Sequence, residues 1–394
     1  MTRRPLAFLL ALLALVPLPT LAQDFVTAAR AAILMDYRTG RVLFAKDPDE
    51  PLPPASMSKL MTARVIFEDL AKGDLALDQE LPVSEKAWRM GGSRMFLDVN
   101  TRVKVADLLR GVIVQSGNDA CIVLAEGLAG SEAAFAERMN VRAKELGLQN
   151  SHFANVTGWP DPGQLMSVRD LALLARSIIR DFPEHYELYS EREFEYNGIK
   201  QYNRNPLLRA GVPGVDGMKT GYTDDAGYGL VASAERGGQR LVMVITGLDS
   251  PKARGVEGQK LLEYGFRTFK EYRLFEPGKP VAEVPVWLGE RATVPLVGED
   301  PISVTLPRAA RDGLKATVAF EAPVPAPIGA GQRLGRILVT APGMEDMEIP
   351  LVAGEAVPRA GIVGRMTSAL SYLVWGGGGN IAPAGAEPAT ASAR

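Results

Sequence analysis

Only one cysteine, Cys121, occurs in 394 residues, so the chain cannot close an internal disulfide and its stability has to come from packing. Cys121 lies in the apolar helical run 120–128, where a thiol behaves as a small buried hydrophobe rather than a nucleophile. Histidine is nearly as scarce. His152 and His185 stand far apart, no His-Glu-x-x-His pattern occurs, and no third histidine is present to complete a zinc site, so neither a catalytic metal nor another cofactor is expected. The same scarcity works against a Ser-His-Asp triad, and a hydrolase built on this chain needs another base. An excess of charge is missing too. The formal net charge of −2 gives no electrostatic case for nucleic acid.

What is present begins with a leader. Arg3 and Arg4 precede the apolar run 6–18, which is too short to span a bilayer and ends in Thr20-Leu21-Ala22, small residues suited to cleavage. Residues 1–22 therefore read as a signal peptide with Gln23 as the mature start. At the other end, residues 376–394 are rich in Gly, Ala and Pro and are expected to be disordered. Before them, within a segment 356–375 assigned to a membrane-anchor helix, a helical wheel gathers Ile362, Val363, Met366, Ala369, Leu370, Leu373 and Val374 on one face. Arg365, Ser368, Ser371 and Tyr372 fall on the other. A helix of that length and polarity lies in a membrane interface, with Trp375 and Tyr372 suited to headgroup depth.

Between the ends, residues 31–44 read as a strand hairpin broken at Arg38-Thr39-Gly40, and helical periodicity then marks a helix through Leu60, Met61, Ile66 and Leu70. Further helices are predicted over 105–114, 120–128, 132–146 and 168–179. Strands return at 229–234 and 240–246 across Arg236-Gly237-Gly238, followed by a helix over 261–272. Strands at both ends of a helical block predict an α+β domain over 23–275, its antiparallel sheet combining early and late segments. Short runs at 282–288, 292–297, 302–306, 315–320 and 336–339, punctuated by Gly and Pro, predict a small all-β domain over 276–355.

Three short elements can carry chemistry. Ser56-Met57-Ser58-Lys59 sets a hydroxyl and an amine at i and i+3 at the start of a helix, on one face. A hydroxyl becomes a useful nucleophile once a base takes its proton, and a lysine serves if desolvation or a neighbouring cation keeps it neutral. Ser116-Gly117-Asn118 interrupts two apolar helical runs and places a hydroxyl and a carboxamide on a short loop. Lys219-Thr220-Gly221 ends the run that begins at Gly214, on an expected strand beside the site. Singly, each has an ordinary reading as a cap, a turn or a strand end. The ordered set Ser-x-x-Lys, Ser-x-Asn, Lys-Thr-Gly is the combination that penicillin-binding proteins and class A β-lactamases use.

With these motifs, and with residues 54–62, 215–221 and Ala226-Gly227-Tyr228, the chain resembles the low-molecular-mass penicillin-binding proteins, the serine-type D-alanyl-D-alanine carboxypeptidases, over essentially its whole length. The resemblance implies a penicillin-binding or serine β-lactamase-like catalytic domain, a peptidoglycan stem pentapeptide as substrate, and β-lactams as covalent inhibitors. It implies Ser56 as nucleophile, Lys59 as base, and Ser116, Asn118 and Lys219 as catalytic partners, with Lys219 holding Lys59 partly neutral by like-charge repulsion. Lys219, Thr220, Gly221 and Tyr222 would line the substrate, the backbone amides of Ser56 and Tyr222 would form the oxyanion hole, and Arg204 or Arg254 would bind the terminal carboxylate. Tyr222 stands where many relatives carry histidine. The anchor then places the protein on the periplasmic face of the inner membrane. A β-lactamase, a D,D-endopeptidase and a catalytically dead wall-binding protein share parts of this pattern; the later β-domain argues against the first two, and intact Ser56, Lys59 and Lys219 against the third.

Overall fold

The computed structural model describes residues 25–276 and 278–361. The predicted signal peptide, the helix expected over 362–375 and the tail 376–394 lie outside the described residues. A five-stranded antiparallel sheet organises the first domain, in the order Val42–Lys46, Ala31–Asp36, Gln239–Leu248, Gly227–Arg236, Val215–Thr223. Early and late segments share this sheet, as the sequence led one to expect. Both of its faces are covered, which is why its central strands read as continuous apolar runs. Ile33, Met35, Val231, Val242 and Val244 join the core beneath the helical block, while Leu34, Leu230, Leu241, Met243 and Ile245 join the opposite core under the helix Pro251–Thr268.

The helical block comprises Lys59–Lys72, Val105–Ile113, Asn118–Ala129, Glu132–Glu145 and Val168–Asp181. Two of these begin at capping serines. Ser131 accepts from Ala134 N and Ser167 from Asp170 N, satisfying amides that the first helical turn leaves unpaired. Cys121 is fully buried in this block, and burial pushes its thiol up to about 11, in keeping with its reading as core.

One helix differs from expectation. The segment predicted as a helix over 261–272 is the C-terminal part of Pro251–Thr268 followed by the strand Phe269–Phe275. The start is fixed by Ser250, whose Oγ accepts from Ala253 N, with Pro251 in the first turn. The end is tertiary: Phe269–Phe275 pairs with Ile302–Pro307, and Tyr272 belongs to the core of the second domain. The second domain therefore takes in residues before 276. Its six-stranded sheet runs in the order Lys315–Phe320, Arg333–Thr340, Met347–Ala353, Thr293–Val297, Ala282–Trp287, Val324–Pro325. Residues 356–361 are extended, with Val357 bridged to Ile328 and Arg359 to Gly289. The two domains meet through Arg41 Nη1, which donates to Thr305 O at 3.1 Å, and through the Arg38–Glu271 ion pair at 2.7 Å.

Candidate active site

Ser56 sits in the 3-10 turn Ala55–Ser58, which runs directly into the helix Lys59–Lys72. Lys59 is fully buried at the junction and donates to three acceptors: Ser56 Oγ at 2.8 Å, Asn118 Oδ1 at 2.7 Å and the Thr157 carbonyl at 2.5 Å. Losing its hydration lowers the Lys59 amine to about 8, and the positive charge of Arg204 adds to the shift. Burial is thus the main cause, where the sequence suggested repulsion from Lys219. Lys219 is itself buried and held well below the usual lysine range, first by desolvation and then by the Lys59 charge. Its Nζ donates to Ser116 Oγ at 2.8 Å and to the Thr220 carbonyl at 3.2 Å.

An amine with three hydrogen-bonding neighbours changes role when it loses a proton. Neutral Lys59 keeps two N–H bonds, which Asn118 Oδ1 and Thr157 O can accept, and its lone pair then faces the Ser56 hydroxyl. That is the geometry of a general base on a serine.

The second motif is split between loop and helix. Ser116 and Gly117 form the link, and Asn118 is the first residue of Asn118–Ala129. Ser116 holds φ 63°, a left-handed conformation that a serine rarely adopts and that the surrounding packing imposes. The Asn118 carboxamide has two N–H groups, one of which donates to Gly91 O at 2.9 Å.

Lys219, Thr220 and Gly221 lie on the strand Val215–Thr223, which passes against the Ser56 turn. A methyl group in place of the Gly221 hydrogen would meet Pro54 O at 2.8 Å and Ala55 Cβ at 3.2 Å, so only glycine allows this approach. Tyr222 follows at the rim, 48% exposed, stacked on Tyr228 at 4.1 Å and donating its hydroxyl to Asp224 at 2.7 Å. That bond pushes the phenol up to about 12, so Tyr222 stays protonated over the working range. Arg204 and Arg254 both lie close enough to Lys219 for their charge to lower its amine, but their contacts differ. Arg204 is exposed and donates to Ser93 Oγ at 2.5 Å, whereas Arg254 is buried, pairs with no carboxylate among the described residues and lies 5.6 Å over the Tyr228 ring.

Sequence reasoning missed two parts of the site. The Thr157 carbonyl is presented by a loop that Asn155 ties together, its Oδ1 accepting from Thr157 N, Thr157 Oγ1, Gly158 N and Trp159 N. Asn155 two residues before Thr157-Gly158 is an Asx-type loop signal and was the available clue. The second is Asp119, whose buried carboxylate accepts from Met95 N, Leu97 N and Ala120 N and so fixes the loop beside Asn118. An acid at the start of an apolar helix was its only mark. His152 and His185 serve elsewhere, His152 against Gly163 O and His185 stacked on Phe67.

Residues 19–250 match the D-alanyl-D-alanine carboxypeptidase family, and residues 269–359 match the family described as penicillin-binding protein 5, C-terminal domain. The chain is 43% identical to D-alanyl-D-alanine carboxypeptidase DacC of Escherichia coli (strain K12) over 345 residues, 86% of each chain. It is 40% identical to D-alanyl-D-alanine carboxypeptidase DacA of Haemophilus influenzae over 88% of this chain and 90% of that one. Penicillin-binding protein 5 from Haemophilus influenzae superposes with a TM-score of 0.82 at 39% identity, covering 85% of this chain and 99% of the other. Fold, order of motifs and extent of similarity agree, and the chain belongs to the D-alanyl-D-alanine carboxypeptidase family.

Proposed function

We propose that the chain removes the terminal D-alanine from peptidoglycan pentapeptide stems through an acyl-enzyme on Ser56, and that β-lactams acylate the same serine. The observation that carries this reading is the buried Lys59 amine, 2.8 Å from Ser56 Oγ and held at about 8. Lys59 takes the Ser56 proton as Oγ bonds to the carbonyl between the last two D-alanines. The backbone amides of Ser56 and Tyr222 receive the developing oxyanion, a role supported by the close approach that Gly221 permits. As the C–N bond breaks, the proton that Lys59 took passes through Ser116, which Lys219 hydrogen-bonds, to the leaving amine, and Lys59 is neutral again. Water then attacks the ester, Lys59 accepts its proton and returns it to Ser56 Oγ as the ester bond breaks, and the shortened stem leaves.

Thr220, with Lys219 beside it, and Arg254 bind the terminal carboxylate. Arg254 is preferred to Arg204 because it is buried without a carboxylate partner and reaches the Gly221 carbonyl at 3.5 Å, whereas Arg204 is engaged with Ser93. The protein is read as exported to the periplasm and laid on the inner-membrane lipid surface by residues 362–375, where it trims stem peptides during cell-wall biogenesis and so bears on cell shape. No helix among the described residues is long and apolar enough to cross a membrane. Release of D-alanine from a diacyl peptide ending in D-alanyl-D-alanine tests the reaction. The wild type should release it, the C-terminal amide should be a poor substrate, and undiminished release by Ser56→Ala would contradict the assignment.

A further inference from the structure

The loop that offers Thr157 O to Lys59 also carries Trp159, whose indole is 46% exposed although its backbone is pinned. Its N–H donates to Asn155 Oδ1 at 3.1 Å and its carbonyl accepts from Asn155 Nδ2 at 3.0 Å. An exposed indole on a fixed loop beside a catalytic amine is a large apolar surface held ready for contact.

The ring lies across the Gly91-Gly92 pair. A methyl group at Gly91 would come within 3.5 Å of Trp159 Cη2, and one at Gly92 would meet both Trp159 Cζ3 and Asn118 Nδ2 at 2.9 Å. Indole and carboxamide therefore both border the position where Gly92 lacks a side chain. The second N–H of Asn118 is the donor available for a substrate carbonyl. In a stem ending X-D-Ala-D-Ala, with the scissile carbonyl at Ser56, the next carbonyl outward along the acyl donor belongs to residue X. If Asn118 holds that carbonyl, the side chain of X emerges beside Trp159.

We propose that Trp159 is a specificity-determining residue of the acyl-donor site, packing its indole against the aliphatic side chain of residue X and favouring a long methylene chain over a short one. This rests on the assignment of Ser56 and Asn118 above. A run of methylenes lying on an aromatic face removes apolar surface of both partners from water, and pocket contacts of this size discriminate by roughly 10–200-fold.

The test compares kcat/KM for diacetyl-lysyl-D-alanyl-D-alanine with that for acetylglycyl-D-alanyl-D-alanine in the wild type, Trp159→Ala and Trp159→Phe. The wild type should prefer the lysyl peptide, Trp159→Ala should lose about tenfold of that preference chiefly through KM, and Trp159→Phe should keep most of it. Benzylpenicillin and the unsubstituted 6-aminopenicillanic acid nucleus provide a parallel pair, read by mass spectrometry of the Ser56 peptide. Preference for benzylpenicillin should shrink in Trp159→Ala while the label stays on Ser56. Equal losses on both members of each pair, or no loss on either, would overturn the proposal with Ser56 still labelled. Absence of label on Ser56 in the wild type would instead overturn the reading on which it rests.

Discussion

The proposed mechanism requires Lys59 to be buried, bonded and yet neutral when Ser56 loses its proton, and the same surroundings fit all three demands. Desolvation lowers its amine to about 8, while Asn118 Oδ1 and Thr157 O hold the two hydrogens that remain after deprotonation. The sign of the pH dependence follows. Below this value the amine is protonated and cannot accept, so the acylation rate at subsaturating β-lactam should rise about tenfold per pH unit toward 8 and level off above it. Tyr222, pushed up to about 12, adds no step in that range. Because Lys59 and Lys219 influence one another, the measured midpoint belongs to the pair. Stopped-flow acylation between pH 6 and 9, a range of about three units around that midpoint, checks this; a flat profile would remove Lys59 as the base. Ser56 and Lys59 were legible in the sequence because i and i+3 on a helix is a geometric statement in itself. Thr157 was not, since a backbone carbonyl can be supplied by any residue type and only Asn155 betrays the loop that aims it.

At the scale of elements, the site depends on how closely the strand Val215–Thr223 runs beside the turn Ala55–Ser58. Gly221→Ala would insert a methyl group 2.8 Å from Pro54 O, where backbone rather than a flexible side chain has to yield. Overpacking of this kind costs about 1–3 kcal/mol of stability. A displacement of the oxyanion donors by roughly 1 Å costs on the order of 10²-fold in rate. Gly221→Ala is therefore expected to fold, melt a few degrees lower and acylate about 100-fold more slowly, as thermal denaturation and penicillin kinetics would show. Wild-type acylation in this variant would mean that the close approach does not matter. Most elements were legible because helix and strand periods differ. The strand Phe269–Phe275 was not. Leu261, Leu262, Gly265, Phe269 and Tyr272 continue a helical spacing, and only pairing with Ile302–Pro307, far off in sequence, ends the helix at Thr268.

For the whole molecule, two domains and a sheet that closes the first of them from both ends of its sequence were legible, whereas the junction was not, because it is made by Arg38, Arg41 and strand pairing rather than by a linker. Val357, Arg359 and Ala360 are bonded into the second domain, so a cut that removes only the proposed anchor falls after Gly361. That truncation should leave melting temperature and activity on a small soluble peptide unchanged and shift the protein from the membrane to the soluble fraction; equal membrane retention would refute the anchor. The central claim is that one serine, activated by its neighbour on the same helical turn, carries the acyl group. Peptide mapping by mass spectrometry after incubation with benzylpenicillin tests it most directly. A single adduct on the peptide that contains Ser56, absent from Ser56→Ala, is the predicted result; an adduct on another residue, or labelling that persists in Ser56→Ala, would contradict the account.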